Sequence, residues 1–255
     1  MSHSDFPSAN LLAGKVMVVT GAGRGMGRVL ALVAAREGAR VLVADISGEE
    51  EDTAAQIGPN AVPFRLDVTR EEEIEAMFAH ALDSFGRVDA SVHLAGIAGG
   101  RRAPEVSYEE FDQHARIHMG GMLLCTKHAI KAMVPTGGGS IINFSAVASL
   151  NGAPFISTAY AAAKAGVNAM TKSYAVAFGP DNIRVNAIAP GFTLSEKNLA
   201  VPADRMPEMV NKAALRRAAD PEEPVQLAVF LCSDRAAYIS GTIIPVDGGW
   251  SARLA

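Results

Sequence analysis

Apolar residues recur along this chain with two periods. Short runs rich in β-branched and apolar residues read as strands: Lys15–Thr20 (KVMVVT), Arg40–Asp45 (RVLVAD), Ala61–Leu66, Ala90–Leu94, Ser140–Ser145, Arg184–Ala189 and Ile243–Val246. Between them lie segments with apolar positions three and four residues apart, which predict helices over Met26–Glu37, Glu49–Ile57, Arg70–Phe85, Tyr108–Val134, Ser157–Phe178 and Pro221–Leu231. Gly120 and Gly121 fall in the middle of the fourth helix and weaken it. Strands alternating with helices predict an α/β fold with a mostly parallel sheet covered on both faces. The sequence has neither an internal repeat nor a linker, so one domain over residues 1–255 is expected, with residues 1–11 as an N-terminal tail.

Composition narrows the classes. Of 255 residues, 49% are hydrophobic, enough for a large core, and the net charge of -4 offers no basic field for nucleic acid. No apolar run approaches the roughly 18 residues of a membrane span, and the first ten residues lack a basic segment followed by an apolar one. Cys125 and Cys232 sit far apart within helical patterns, which predicts two reduced, buried thiols. A soluble cytoplasmic protein with a small-molecule substrate, and no nucleic-acid or membrane partner, is the expectation.

The chemistry begins in the turn after the first strand. Thr20-Gly21-Ala22-Gly23-Arg24-Gly25-Met26-Gly27 separates strand one from helix one. Glycines there let backbone amides and a helix N-terminus approach a pyrophosphate. At the end of the second strand stands Asp45, followed by Ile46. A carboxylate there accepts hydrogen bonds from adenosine ribose hydroxyls and repels a 2′-phosphate, so Asp45 predicts NAD, while Arg24 argues mildly for the phosphorylated cofactor. Together the turn and the acid make a doubly wound Rossmann-type domain. Far downstream, Tyr160 and Lys164 lie four apart in an Ala-rich helix, on one face and one turn apart. A phenol ordinarily ionises near pH 10, and a neighbouring ammonium is expected to pull it towards working pH.

With TGAGRGMG and Tyr160-Ala-Ala-Ala-Lys164 in one chain, the sequence resembles the short-chain dehydrogenase/reductase family from Leu12 to Trp250. The resemblance extends to Asp67-Val68, where the family holds the adenine ring, and to Ala95-Gly96 after strand four. It takes in Asn186-Ala187-Ile188-Ala189-Pro190-Gly191 beside the nicotinamide, with Thr193 and Ser195 placed to touch carboxamide or pyrophosphate, and Ser240-Gly241-Thr242 and Val246-Asp247-Gly248-Gly249 near the C-terminus. It implies that Tyr160 transfers the proton, that Lys164 binds the nicotinamide ribose and lowers the Tyr160 pKa, and that hydride passes between nicotinamide and a substrate carbon. A homotetramer is also implied, as is a substrate lid over residues 192–212. The lid carries Phe192, Leu194, Leu199, Val201, Met206, Met209 and Val210, faced by Leu150, Phe155 and Ile156, which suits a mostly apolar secondary alcohol or ketone, a cyclic one included.

Three positions depart from the family pattern. His93-Leu94-Ala95-Gly96 replaces Asn-Asn-Ala-Gly. His118 takes the place of an Asn that supports a proton-relay water beside the Lys. Ala146 stands where a Ser bonds the substrate oxygen, and the stretch from Ala146 to Tyr160 is one residue longer than usual. Ser149, Ser157 and Thr158 are candidates for the missing hydroxyl. These losses leave a second reading, an NAD-binding protein with impaired catalysis. A third reading makes His114 and His118, with His93 nearby, a metal site, although no Glu or Cys completes the set; no metal is the expectation.

Overall fold

A computed structural model describes residues 10–97, 99–101, 103–152, 156–195, 204 and 206–253. Leu199, Val201 and Phe155, and so part of the expected lid, lie outside these residues. The strands are β1 (Val16–Thr20), β2 (Arg40–Asp45), β3 (Ala61–Arg65), β4 (Ala90–His93), β5 (Gly139–Phe144), β6 (Ile183–Pro190) and β7 (Ile243–Val246). They form one sheet in the order β3-β2-β1-β4-β5-β6-β7, parallel at every pairing. The two outer strands each hold a proline, Pro63 and Pro245, where a missing amide is tolerated, and the third strand proline, Pro190, ends β6.

Alternation along the strands builds two cores. Met17, Val19, Val41 and Val43 face one way, towards helices α1 (Gly25–Arg36) and α8 (Glu222–Cys232). Val18, Leu42 and Ala44 face the other, towards α3 (Glu71–Phe85), α5 (Gly121–Met133) and α6 (Thr158–Phe178). Helix α2 (Glu50–Ile57) packs beside β2 and β3, and a short helix, α7 (Met206–Val210), lies within the stretch expected to be the substrate lid. The fully buried aliphatic faces account for the near-continuous apolar runs in the sequence. Both cysteines are buried and free, as their patterns predicted, and burial pushes each thiol up to about 12, which leaves them inert. Among the described residues no helix is long and apolar enough to cross a membrane.

The region from Tyr108 onward differs in one respect from a plain helix. Helix α4 (Tyr108–His114) runs through a π-helical segment, Ala115–Gly120, into α5 without a break. The wider turn holds His118, and of the two glycines expected to weaken the helix Gly121 has a packing reason: a Cβ on it would come within 2.9 Å of Val68 Cγ2. A π-turn is most often found where a helix carries function.

Candidate active site

Because the sheet is parallel, Thr20, Asp45, Arg65, His93, Phe144 and Pro190 all end their strands on the same edge. The strand order reverses between β1 and β4, and the crevice beyond that point is where such sheets take ligands. A cleft of ≈ 510 Å³ opens there. Its walls include Gly21, Arg24, Met26 and Gly27 from the first turn, Asp45 and Ile46 from the second, Asp67 and Val68 from the third, and Ala95 and Gly96 from the fourth. Leu66, Leu94, Ile97 and Ile117 are also among them. Sequence reasoning did not single those four out, although the first two immediately follow β3 and β4.

The glycine turn is built for an anion. Arg28 N makes the first intrahelical bond of α1, to Arg24 O, so the amides of residues 25–27 have no helical acceptor. No acidic residue occupies that first turn. A Cβ on Gly27 would lie 1.9 Å from Gly21 O, so helix and turn can close only on a glycine, while one on Gly25 would enter open space. Asp45, 8% exposed, is held by two amides: Gly23 N donates to Oδ2 and Ser47 N to Oδ1, both at 2.9 Å. Arg24 extends towards Glu49, at 3.9 Å.

Deeper, the cleft shares Val68, Ala95 and Ile117 with a cavity of ≈ 10 Å³, also lined by Thr20, His93, His118, Asn143 and Lys164. That is room for about one water among several polar groups. Buried Lys164 donates from Nζ to Phe144 O at 2.6 Å, and burial lowers its pKa to about 8. Tyr160 meets His114 and His118 edge-on at 5.8 and 5.5 Å between ring centroids, with Lys164 Nζ 5.9 Å from its own centroid. Burial pushes the phenol up to about 12. The expected lowering by the ammonium is therefore not present in this state; desolvation of the phenolate outweighs a charge spent on Phe144 O.

His118 Nε2–H donates to Ile97 O at 2.8 Å, which fixes the tautomer and leaves Nδ1 an acceptor, buried and without a hydrogen-bond partner. Burial first, then the Lys164 charge, lowers its pKa to about 3, so the ring is neutral. It stacks on His114 with centroids 5.5 Å apart and planes 11° from parallel. Parallel stacked rings do not turn their lone pairs on one point, and among the described residues no group of three His, Cys, Asp or Glu could hold a metal. His93 is committed elsewhere: Nδ1–H donates to Asn143 Oδ1 and Nε2 accepts from Ser91 Oγ, both 2.9 Å. Asn143 Nδ2 in turn donates to Thr171 Oγ1 on α6. This chain ties β4 and β5 to the helix of Tyr160 and Lys164, and burial lowers the His93 pKa to about 4.

The hydroxyls that could compensate for Ala146 have other partners. Ser149 Oγ donates to Ala146 O and accepts from Asn168 Nδ2; Ser145 Oγ bonds Ser149 Oγ and Lys164 O. Ser157 Oγ donates to Glu110 Oε1. Thr158 opens α6 and is exposed. Pro190, Gly191, Thr193 and Ser195 leave the end of β6 outside the lining of the large cleft; Thr193 is buried and bridges to Ala219, and Ser195 N donates to Thr193 O.

Comparison with known proteins adds to this geometry. The family model described as enoyl-(acyl carrier protein) reductase matches residues 21–251. The chain is 38% identical over 248 residues to cis-4-hydroxycyclohexanecarboxylate dehydrogenase of Sinomonas cyclohexanicum, covering 94% of this chain and 98% of that one. It is 36% identical over 242 residues to a 3-oxoacyl-[acyl-carrier-protein] reductase of Thermotoga maritima, covering 93% and 98%. It is likewise 36% identical over 247 residues to 2,5-dichloro-2,5-cyclohexadiene-1,4-diol dehydrogenase of Sphingobium indicum, covering 94% and 98%.

Proposed function

As the chain belongs to the short-chain dehydrogenase/reductase family of oxidoreductases, we propose that it transfers hydride between NAD and a mostly apolar secondary alcohol or ketone. The observation that carries this reading is a doubly anchored Asp45 in the wall of a cleft that adjoins a small cavity lined by buried Lys164 and by His118, the ring that Tyr160 meets edge-on. The open amides of residues 25–27 suit a pyrophosphate, and Asp67, Val68, Ala95 and Gly96 suit an adenosine half. Pro190, Gly191, Thr193 and Ser195 are assigned to the nicotinamide end by family resemblance. NAD supplies the hydride acceptor or donor. Tyr160 holds or gives the proton at the substrate oxygen. Lys164 orients the ribose and, once a ligand draws its charge towards the phenol, stabilises the phenolate. His118, whose Nδ1 has no hydrogen-bond partner, and Lys164 both line the water-sized cavity, so a water held there between them would pass the proton outward, the task given elsewhere in the family to an Asn.

Two relatives are named for ring alcohols, and Leu194 and Leu150, assigned by family resemblance to the lid and to the wall facing it, each keep 37% of their surface exposed, which suits an apolar ring. A panel of cyclohexanol, cis-4-hydroxycyclohexanecarboxylate and linear secondary alcohols, followed by the absorbance of reduced cofactor, tests the reading; no turnover of any of them with either cofactor overturns it. Phe111, Leu123 and Val176 leave apolar surface on α4, α5 and α6, fitting the proposed homotetramer.

Asp45 predicts the cofactor. A 2′-phosphate would meet a carboxylate whose position is fixed by two amides, while Arg24 leans towards Glu49. NAD is expected to bind at least about ten-fold more tightly than its phosphorylated form. Calorimetric titration of both decides it, and equal affinities would mean that Arg24 swings across to neutralise the phosphate.

The engaged hydroxyls of Ser145, Ser149 and Ser157 favour a second reading, a cofactor-binding protein with impaired catalysis. Ala146→Ser separates the two. The substitution adds one atom, and if its hydroxyl reaches the substrate oxygen, kcat/KM for a secondary alcohol rises about ten-fold or more. A rise from no activity identifies the impaired protein; a rise from clear activity identifies an enzyme working with one donor fewer. A fall shows that another group already fills the oxygen site.

A further inference from the structure

Two local rules of helix capping give way at the same place. Ser107-Tyr108-Glu109-Glu110 has the Ser-x-x-Glu form of a capping box, and half of the box is made: Glu110 N donates to Ser107 Oγ at 3.1 Å. The Glu110 carboxylate, however, does not return to the Ser107 amide. Its Oε1 accepts instead from Arg101 N at 2.8 Å and from Ser157 Oγ at 3.1 Å. Ser157 is the N-cap residue of α6, yet its hydroxyl caps nothing in its own helix and is donated to Glu110. One carboxylate oxygen thus ties the loop after β4 to the first turn of α6. Gly100 fits beneath this contact: its φ is +111, and a Cβ there would come within 2.4 Å of Glu110 Oε1 and 2.6 Å of Ser157 Oγ.

The third residue of that first turn is Tyr160. The first intrahelical bond of α6 is Ala161 N to Ser157 O, so the opening amides of the helix have no internal acceptor, and no acidic residue of its own lies in that turn. We infer that Glu110 is a positioning residue: through Ser157 it holds the start of α6, and with it the Tyr160 ring, against the loop of Gly100 and Arg101. This deepens the proposed function and relies on it only for the catalytic consequence. Misplacing a reacting group by about 1 Å costs on the order of 10²-fold in rate, so a contact three residues from the phenol has the reach to matter.

The test uses Glu110→Ala, Ser157→Ala, the double variant and Glu110→Gln, which keeps a carbonyl oxygen to accept both bonds. Amide hydrogen exchange on the cofactor-free protein reads the clamp without any substrate. Glu110→Ala is expected to raise exchange together at Arg101 and over residues 161–164, the first amides bonded within α6, and Glu110→Gln to leave both near parental rates. With cyclohexanol and NAD, each Ala variant should lower kcat about ten-fold with the NAD dissociation constant within two-fold. The double variant should lose no more than Glu110→Ala alone, since both changes remove one bond. Unchanged exchange over residues 161–164 in Glu110→Ala overturns the inference, as does a lowered thermal midpoint with kcat intact. A parental protein that turns over neither this nor any other alcohol counts against the proposed function alone, and the exchange data still decide the clamp.

Discussion

Tyr160→Phe is expected to lower turnover by about 10³-fold or more while NAD affinity stays within about two-fold. The change removes one oxygen and keeps the ring that packs edge-on against His114 and His118, so the fold of α6 should not register it. Without the phenol, no group already described can take its place. Ser145 and Ser149 are bonded to each other and to backbone carbonyls, Ser157 to Glu110, and position 146 offers only a methyl. His118 Nε2–H is spent on Ile97 O. The phenol is held neutral by burial, up to about 12, so it is poised to give a proton to a carbonyl oxygen, and removing it should cost ketone reduction as heavily as alcohol oxidation. Single-turnover kinetics in both directions, with cofactor binding measured by calorimetry, checks this. A variant that retains the parental rate in either direction excludes Tyr160 as the proton-transfer residue.

Much of the scaffold was legible because its signals are local and repeated. β2 and β7 match the predicted bounds, and the other strands and the helices differ from them by at most two residues. The cleft was legible for the same reason: Asp45 ends a strand, Gly21, Asp67 and Ala95 lie just beyond one, and a parallel sheet brings strand ends to one edge. What sequence could not supply is the partner of each polar group. The one-residue insertion between Ala146 and Tyr160 left open which hydroxyl might replace the absent Ser, and only the bonds of Ser149 and Ser157 show that both are engaged. The π-turn at Ala115–Gly120 has no periodic signature, because one extra residue in a turn leaves the apolar pattern nearly intact. The effect of Lys164 on Tyr160 was misjudged for a physical reason: spacing reports proximity, whereas the pKa balances proximity against burial, and here burial prevails.

Glu110 shows the same limit from another side. Ser107 and Glu110 form a recognisable helix-start motif, and a capping box is what the local sequence predicts. The carboxylate goes elsewhere because Ser157 and Arg101, both distant in sequence, reach it in the folded chain. Departures from local rules concentrate where tertiary demands are strongest. In this molecule they meet where the first turn of α4 touches the start of α6, the helix that carries Tyr160 and Lys164.

Lys164→Met is expected to remove nearly all turnover and to weaken NAD binding, and its effect on stability should change sign with pH. In the folded protein burial lowers the Lys164 pKa to about 8, from an unfolded value near 10.5. Between those values the unfolded chain binds more protons than the native one, so this group makes parental stability rise with pH across that window. Below pH 8 both states hold the proton and the native protein carries the full cost of the buried ammonium, at most about 3 kcal/mol. Met carries no such cost, but it leaves Phe144 O without its donor, a loss of roughly 1–3 kcal/mol at any pH. At pH 7 the variant should therefore equal or exceed the parent in stability, and by pH 10 it should fall below it. Denaturant unfolding of both proteins at the two pH values reads the crossing directly. Stability differences that stay constant from pH 7 to pH 10 would mean that the ammonium remains solvated, and the electrostatic role given to Lys164 would lose its physical basis. A crossing combined with lost turnover would show a residue kept at the expense of stability for the charge it brings to Tyr160.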